Sequence, residues 1–396
     1  MENNEKIGFG ARMKNWFVGP AKKFEITDLA LPILLVVIIA IFAILSPTFL
    51  TTRNISTFFA QNSHLLIVTA AVMIIMISGG CDLSISWQIA LTSIIMAIMM
   101  KDAGVHPVIA CIVGIVMCAV LGTINGVLGI ALKSSTMIIT LATAAIFKGL
   151  AFLIANNRTV DVPEAFTELA NGKIGGFFPY STIIMIVLLL IVSVVMGFTS
   201  VGRKVYASGD NPEAARLAGL KVNLIKILSF TFAGVLIGIA TCIYASKAIS
   251  IEVGSVGNTG IEFTGITACV LSGVALKGGE GKLWKVVVAT FIMAVLENGC
   301  SKLSISAETA GIFKGIIMVA SLSLMTFQGG KPAGIRTFFK NIGNAFKRGD
   351  KAAPAAEAPV EVAPQAEIPA SEPVKEVEQK EEVSKKGASK KAAPKK

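Results

Sequence analysis

Two short stretches of this chain hold residue types at spacings that could do work. The first is Gly209-Asp210-Asn211-Pro212-Glu213-Ala214-Ala215-Arg216-Leu217-Ala218-Gly219. Asn211 suits a helix N-cap, Pro212 the first helical position and Gly219 the C-terminal stop. Glu213, Ala214, Ala215, Arg216 and Leu217 between them are competent helix formers. A helix this short on a charged loop cannot bury itself. With Ala and Leu on one side and charge on the other, it suits docking against a partner rather than catalysis. The second stretch is Ser78-Gly79-Gly80-Cys81-Asp82-Leu83-Ser84, where two glycines and an acid interrupt an apolar region. Glycine permits a chain break, and Asp82 and Ser84 can cap the helix that follows. Acids in such regions are costly and often functional. Asp82 therefore has two readings, a cap at a membrane edge or a polar group lining a path, and they are compatible.

No pattern for bond-making chemistry accompanies these stretches. Lys277-Gly278-Gly279-Glu280-Gly281-Lys282 is Gly-rich and basic, but it lacks the spacing and the following Ser or Thr of a phosphate-binding loop. It reads as a tight turn. No HExxH or GxSxG is present, and no nucleophile–base constellation stands out. The two histidines, His64 and His106, lie far apart. The six cysteines (Cys81, Cys111, Cys118, Cys242, Cys269 and Cys300) form no CxxC pair and read as small packing residues. The expectation is no catalytic residues and no metal ligands.

The elements that must position these residues are apolar. Of 396 residues, 54% are hydrophobic and 15% charged, against about 25% charged in soluble domains. The apolar residues come in long runs, which predicts an all-α polytopic membrane protein. Candidate spans are 29–46, 56–78, 83–100, 107–131, 135–155, 181–199, 225–247, 263–276, 283–300 and 311–327. The eighth is short and holds glycine, so it is expected to be broken or re-entrant. With about ten spans and a cytoplasmic N-terminus, the basic loops 200–224 and 277–285 and the residues after the last span fall inside. The acidic loops 156–180 and 248–262 fall outside. Both termini are then cytoplasmic, and topology accounts for the net charge of +11. No basic face interleaved with aromatics points to nucleic acid.

Residues 1–28 carry Arg12, Lys14, Lys22 and Lys23 without an apolar core, as a cytoplasmic arm would. Residues 29–330 form the membrane domain and 331–349 a basic juxtamembrane segment. Residues 350–396 are Ala, Pro, Glu and Lys, a composition expected to stay disordered. Its terminal lysines could meet anionic headgroups or remain solvated. Within the spans, Gly122-x-x-x-Gly126 and Gly234-x-x-x-Gly238 are close-packing patterns, and most polar residues are expected to bond between helices. Lys148 and Lys314 are expected to snorkel. Asn62, Gln88 and Asn125, with Asp82, are the candidates for a translocation path, because amides can serve a neutral, hydroxyl-rich ligand.

Several motifs together resemble a known family. Ser208 to Val222 resembles the GxNPEAAxxxGixv loop of the ribose/galactose/xylose-type permeases of bacterial ABC importers. Ser78 to Ser84 resembles their GGIDLS motif, and ITACVLSGVALKGGEG at Ile266 to Gly281 resembles their glycine-rich segment. Thr123-Ile124-Asn125-Gly126 is similar to their GxxNG turn. Order and spacing agree over about residues 25–330. The resemblance implies a multi-pass subunit of the bacterial cytoplasmic membrane that moves a monosaccharide. It also implies a second permease chain (a homodimer), a separate ATPase holding ATP and Mg, and an extracytoplasmic sugar-binding protein. No cofactor is implied on this chain. Asn211, Pro212, Glu213, Ala214, Ala215, Arg216, Leu217 and Gly219 would couple to the ATPase, with Glu213, Ala215, Arg216 and Leu217 in its groove. The chain departs from the pattern at Cys81, at Ser272, and at Ile85-Ser86-Trp87, where the family often has Val-Gly-Ser. These departures could shift substrate preference or only packing. Nucleoside and branched-chain amino-acid permeases are the near alternatives. An ion-coupled secondary transporter is a more distant one, because Asp82, Lys148 and Glu297 are scattered in the sequence.

Overall fold

The structure, a computed structural model, describes residues 26–306, 309–317 and 319. Most of the predicted arm, the end of the tenth candidate span, the juxtamembrane segment and the tail lie outside the described residues. The helices are α1 (Ile26–Leu45), α2 (Thr52–Ile77), α3 (Ile85–Lys101), α4 (Pro107–Ala131), α5 (Thr136–Ala155), α6 (Glu164–Asn171), α7 (Tyr180–Phe198), α8 (Ser200–Asp210), α9 (Pro212–Leu217), α10 (Val222–Ser246), α11 (Val253–Gly257), α12 (Ile261–Leu271) and α13 (Leu283–Lys302). Residues 309–317 are also helical. Among the described residues, six helices are long and apolar enough to cross a membrane: α2, α4, α5, α7, α10 and α13. The apolar stretches in α1 and α3 are shorter.

α2 is the centre of the bundle. It is buried without interruption from Ser63 to Ser78, as expected of a helix that is apolar all round. Around it, α4 exposes Val108, Ile112, Val116 and Val120, and α5 exposes Ile138, Leu141 and Leu153. Apolar faces of this extent do not persist in water. They are the lipid-facing or subunit-facing surfaces of a multi-pass membrane protein.

The tightest helix pair is α4 with α10. A Cβ at Gly122 would lie 2.6 Å from the Phe230 carbonyl oxygen, and one at Gly234 would lie 2.5 Å from that of Cys118. Both small-residue patterns therefore meet each other, and backbone packs on backbone.

Two non-helical stretches interrupt the apolar sequence, one between the second and third candidate spans and one within the eighth. After α2, residues 78–84 are non-helical, and α3 starts only at Ile85. A break inside a membrane must have its backbone groups satisfied by neighbours. Here α5 supplies them: the Cys81 and Leu83 amides donate to the hydroxyls of Thr136 and Thr140, each at 3.0 Å. The eighth candidate span is an eleven-residue helix, α12, followed by a glycine turn.

At one end of α2, Ser56 Oγ donates to the Phe177 carbonyl at 2.7 Å. The loops predicted to lie outside gather at this end. Strands β1 (Val160–Asp161) and β4 (Ser250–Ile251) pair antiparallel, tying the two loops together. A second two-residue pair, β2 (Lys173–Ile174) with β3 (Phe178–Pro179), folds one of them back on itself. The ion pairs Lys101–Asp161, at 3.4 Å, and Arg158–Asp102 fasten α3 to the same platform.

Candidate functional site

The short helix α9 is capped at both ends. Asn211 Oδ1 accepts from the Ala214 amide at 3.0 Å, and Pro212 occupies the first turn. Gly219 adopts φ +82°, a conformation that favours glycine, and its amide donates to the Arg216 carbonyl at 2.9 Å. Arg216 pairs with Glu213 at 2.5 Å across one turn. Leu217 is 91% exposed and projects alone. One docking residue needs correcting. Ala215 is only 6% exposed and faces the protein, because its small side chain lets α9 lie close on the body. Every other residue from Asn211 to Gly219 is exposed; Glu213, Arg216 and Leu217 carry the long side chains, and Asn211, Pro212 and Gly219 shape the helix.

Behind α9, three sequence motifs far apart in the chain converge on a junction of glycines. The Gly279 amide donates to the Ile77 carbonyl at 2.8 Å, at the end of α2. A Cβ at Gly209, in α8, would lie 1.8 Å from that same oxygen and 2.7 Å from Gly279 N. A Cβ at Gly278 would lie 2.8 Å from Gly79 N. Only glycine allows these backbones to touch. Two side chains lock the junction: Tyr206 Oη donates to the Gly281 carbonyl at 2.9 Å, and Lys226 Nζ to that of Gly79 at 3.1 Å. Burial pushes the Tyr206 phenol up to about 12, so it remains a donor. Neither side chain was singled out from sequence. Beside the junction, a cavity of about 590 Å³ opens between α7, α8 and α10, lined by residues including Met196, Leu220, Leu224 and Phe232.

The path candidates divide. Asp82, Gln88 and Asn125 come together, fully or almost fully buried, with Ser84, Thr140 and Thr143. Asp82 Oδ1 accepts from the Ser84 amide at 2.8 Å and the Ser84 hydroxyl at 2.6 Å. Asp82 Oδ2 accepts from Gln88 Nε2 at 3.0 Å and Asn125 Nδ2 at 3.4 Å. Thr143 Oγ1 donates to Asn125 Oδ1 at 2.7 Å. The amide donors thus point at Asp82 and Ser84, and the cluster braces the broken segment. Asn62 is not part of it: its Nδ2 donates to the Phe58 carbonyl within α2 at 2.9 Å.

Glu262, expected on an outer loop, is instead buried in the first turn of α12. It accepts from the Ser86 hydroxyl and, at 3.3 Å, from the Ser86 amide. Two carboxylates therefore sit at the start of α3, where its free amides favour negative charge. The other intramembrane charges are dispersed. Lys314 pairs with Glu297 at 2.5 Å, and Lys148 lies over the Trp87 ring. Among the described residues, no group of three or more His, Cys, Asp or Glu side chains could hold a metal ion.

Comparison with known proteins places the chain among transport permeases. Residues 54–322 match the family model described as branched-chain amino acid transport system / permease component. The ribose import permease protein of Bacillus subtilis (strain 168) is 31% identical over 293 residues, covering 73% of this chain and 90% of the relative. The L-arabinose transport system permease protein of Escherichia coli (strain K12) is 32% identical over 281 residues, covering 71% and 84%. The D-allose transport system permease protein of the same organism is 30% identical over 301 residues, covering 74% and 89%. No solved structure matches significantly.

Proposed function

The chain belongs to the family of branched-chain amino acid transport system permease components, and from that premise we propose that it is the membrane subunit of an ATP-binding-cassette importer for a monosaccharide. Its relatives are transport permeases named for ribose, arabinose and allose, which favours a sugar over an amino acid. The observation that carries the mechanism is the link between α9 and the glycine junction. An exposed, doubly capped helix directly follows α8, whose Gly209 meets α2 and the 277–281 turn backbone to backbone.

In this reading the subunit spans the bacterial cytoplasmic membrane about ten times with both termini inside. The meeting of the basic loops 200–224 and 277–285 at one end of α2 supports that orientation. A separate ATPase, which holds ATP and Mg, grips Glu213, Arg216 and Leu217. When it closes, α9 moves, and the junction passes the displacement to α2 and to the broken segment ahead of α3. Backbone contacts without intervening side chains have little slack, so a displacement is transmitted rather than absorbed. Asp82, Gln88 and Asn125 keep the broken segment rigid while it moves. At the other end, an extracytoplasmic binding protein docks on the strand-tied platform, where Ile249 is 84% exposed. A second copy of the permease completes the pathway.

A complementation experiment tests this. Cells lacking their own ribose, arabinose and allose importers receive this chain with its ATPase and binding protein. Uptake of one labelled monosaccharide is expected, and it should disappear when the permease gene is omitted. Uptake of labelled leucine and of no sugar would overturn the substrate class.

A further inference from the structure

We propose that Trp87 and Lys148 form a sugar-contacting subsite on the membrane-embedded surface of this permease, with the indole N–H and the ammonium donating to sugar hydroxyls; the inference rests on the monosaccharide reading above. Lys148 is exposed on α5, on the same helical stripe as the exposed Leu141 and Ala145. A lysine facing hydrocarbon costs about 3 kcal/mol or more. That cost is avoided if the stripe borders an aqueous or polar space.

Snorkelling would carry the ammonium along the helix toward an interface. Lys148 is seven residues from the end of α5 at Ala155, about 10 Å. The side chain turns elsewhere: Nζ lies 5.1 Å from the centroid of the Trp87 ring. Lys148 makes no ion pair among the described residues, so its three donors are unspent.

Trp87 is half-buried and firmly seated. A Cβ at Gly257 would lie 2.1 Å from the ring, so only glycine leaves room for the indole there. Phe152 flanks it at a centroid distance of 6.2 Å. One residue earlier, Ser86 is anchored to Glu262 through hydroxyl and amide. The base of the side chain is thus fixed, while Nε1 makes no hydrogen bond among the described residues. An indole N–H beside an ammonium suits a neutral sugar, whose hydroxyls accept from both.

The test is transport by the complete complex in proteoliposomes, at saturating sugar-loaded binding protein, for ribose, arabinose and allose. Wild type is compared with Lys148→Met, Lys148→Arg and Trp87→Phe. Lys148→Met should lower the maximal rate for the preferred sugar about tenfold and change the ratio between sugars, with Lys148→Arg restoring most of both. Trp87→Phe should change the ratio in the same direction. If Lys148→Met is not recovered as an intact complex, Lys148→Gln and Trp87→Phe carry the same comparison. Rate ratios equal to wild type in every variant, whatever the absolute rates, would overturn the subsite; so would a Lys148→Met complex that transports normally because a second copy covers this face. A wild-type complex that moves leucine and no sugar would remove the functional reading itself, independently of the variants.

Discussion

Placing one methyl group in the glycine junction should uncouple the transporter. In Gly209→Ala the new Cβ would stand 1.8 Å from the Ile77 carbonyl oxygen and 2.7 Å from Gly279 N. Van der Waals contact needs about 3.5 Å, so the backbones must part by more than about 1.5 Å. Neither obstacle is a side-chain tip that could swing away. Overpacking of this kind costs about 1–3 kcal/mol. The 2.8 Å bond from Gly279 N to Ile77 O is strained or lost, at about 1 kcal/mol more. Against this, alanine gains at most about 1 kcal/mol over glycine within helix α8. The net is destabilisation by about 2 kcal/mol, with α8 no longer seated on the end of α2. Gly149→Ala is the control. It is also a helical glycine, but its Cβ would meet nothing within 4 Å, so stability should hold or rise. Thermal unfolding in detergent and ATP-driven uptake should be measured for both. A Gly209→Ala protein with wild-type stability and wild-type uptake per ATP hydrolysed would refute the junction as the coupling route.

Four further outcomes follow from the same geometry. Leu217→Glu, or the charge reversals Glu213→Lys and Arg216→Glu, should abolish ATP-driven uptake while the protein still inserts and purifies normally; normal uptake in all three would remove the docking assignment. Asp82→Asn places an amide donor against either the Ser84 N–H or the amide donors of Gln88 and Asn125, and should cost about 1–3 kcal/mol, read as a lower unfolding temperature. Tyr206→Phe deletes the bond to the Gly281 carbonyl and should cost about 1 kcal/mol. The Tyr206 phenol is raised in the folded state, so its contribution is complete below the ordinary phenol value of about 10 and falls as pH rises through about 12; the difference between wild type and Tyr206→Phe should therefore be constant from about pH 6 to pH 9.

What could be read from the residues in order was local. The caps of α9 were legible because Asn211, Pro212 and Gly219 sit within one short stretch and their chemistry is short-range. The small-residue patterns in α4 and α10 were legible as packing faces, although nothing in the order of residues said they would meet each other. What escaped was contact across long sequence separation. Glu262 read as an outer-loop acid because its neighbours are polar, yet the brevity of α12 carries it into the body against Ser86. Thr136 and Thr140 looked like ordinary span residues until the 78–84 break needed their hydroxyls. The three glycine motifs were each visible as punctuation, but their common meeting point appears only when α2, α8 and the 277–281 turn are folded together. Asn62 was grouped with Asp82, Gln88 and Asn125 on amide chemistry alone, and the direction of its helix separates it from them.

The central claim is that this subunit moves a monosaccharide under the control of a separate ATPase. The most direct measurement is uptake in proteoliposomes holding this chain with its ATPase and binding protein, across ribose, arabinose, allose and leucine. The account predicts that one sugar accumulates, and only with ATP on the ATPase side and binding protein on the other. Accumulation without ATP, driven by a proton or sodium gradient, would contradict it.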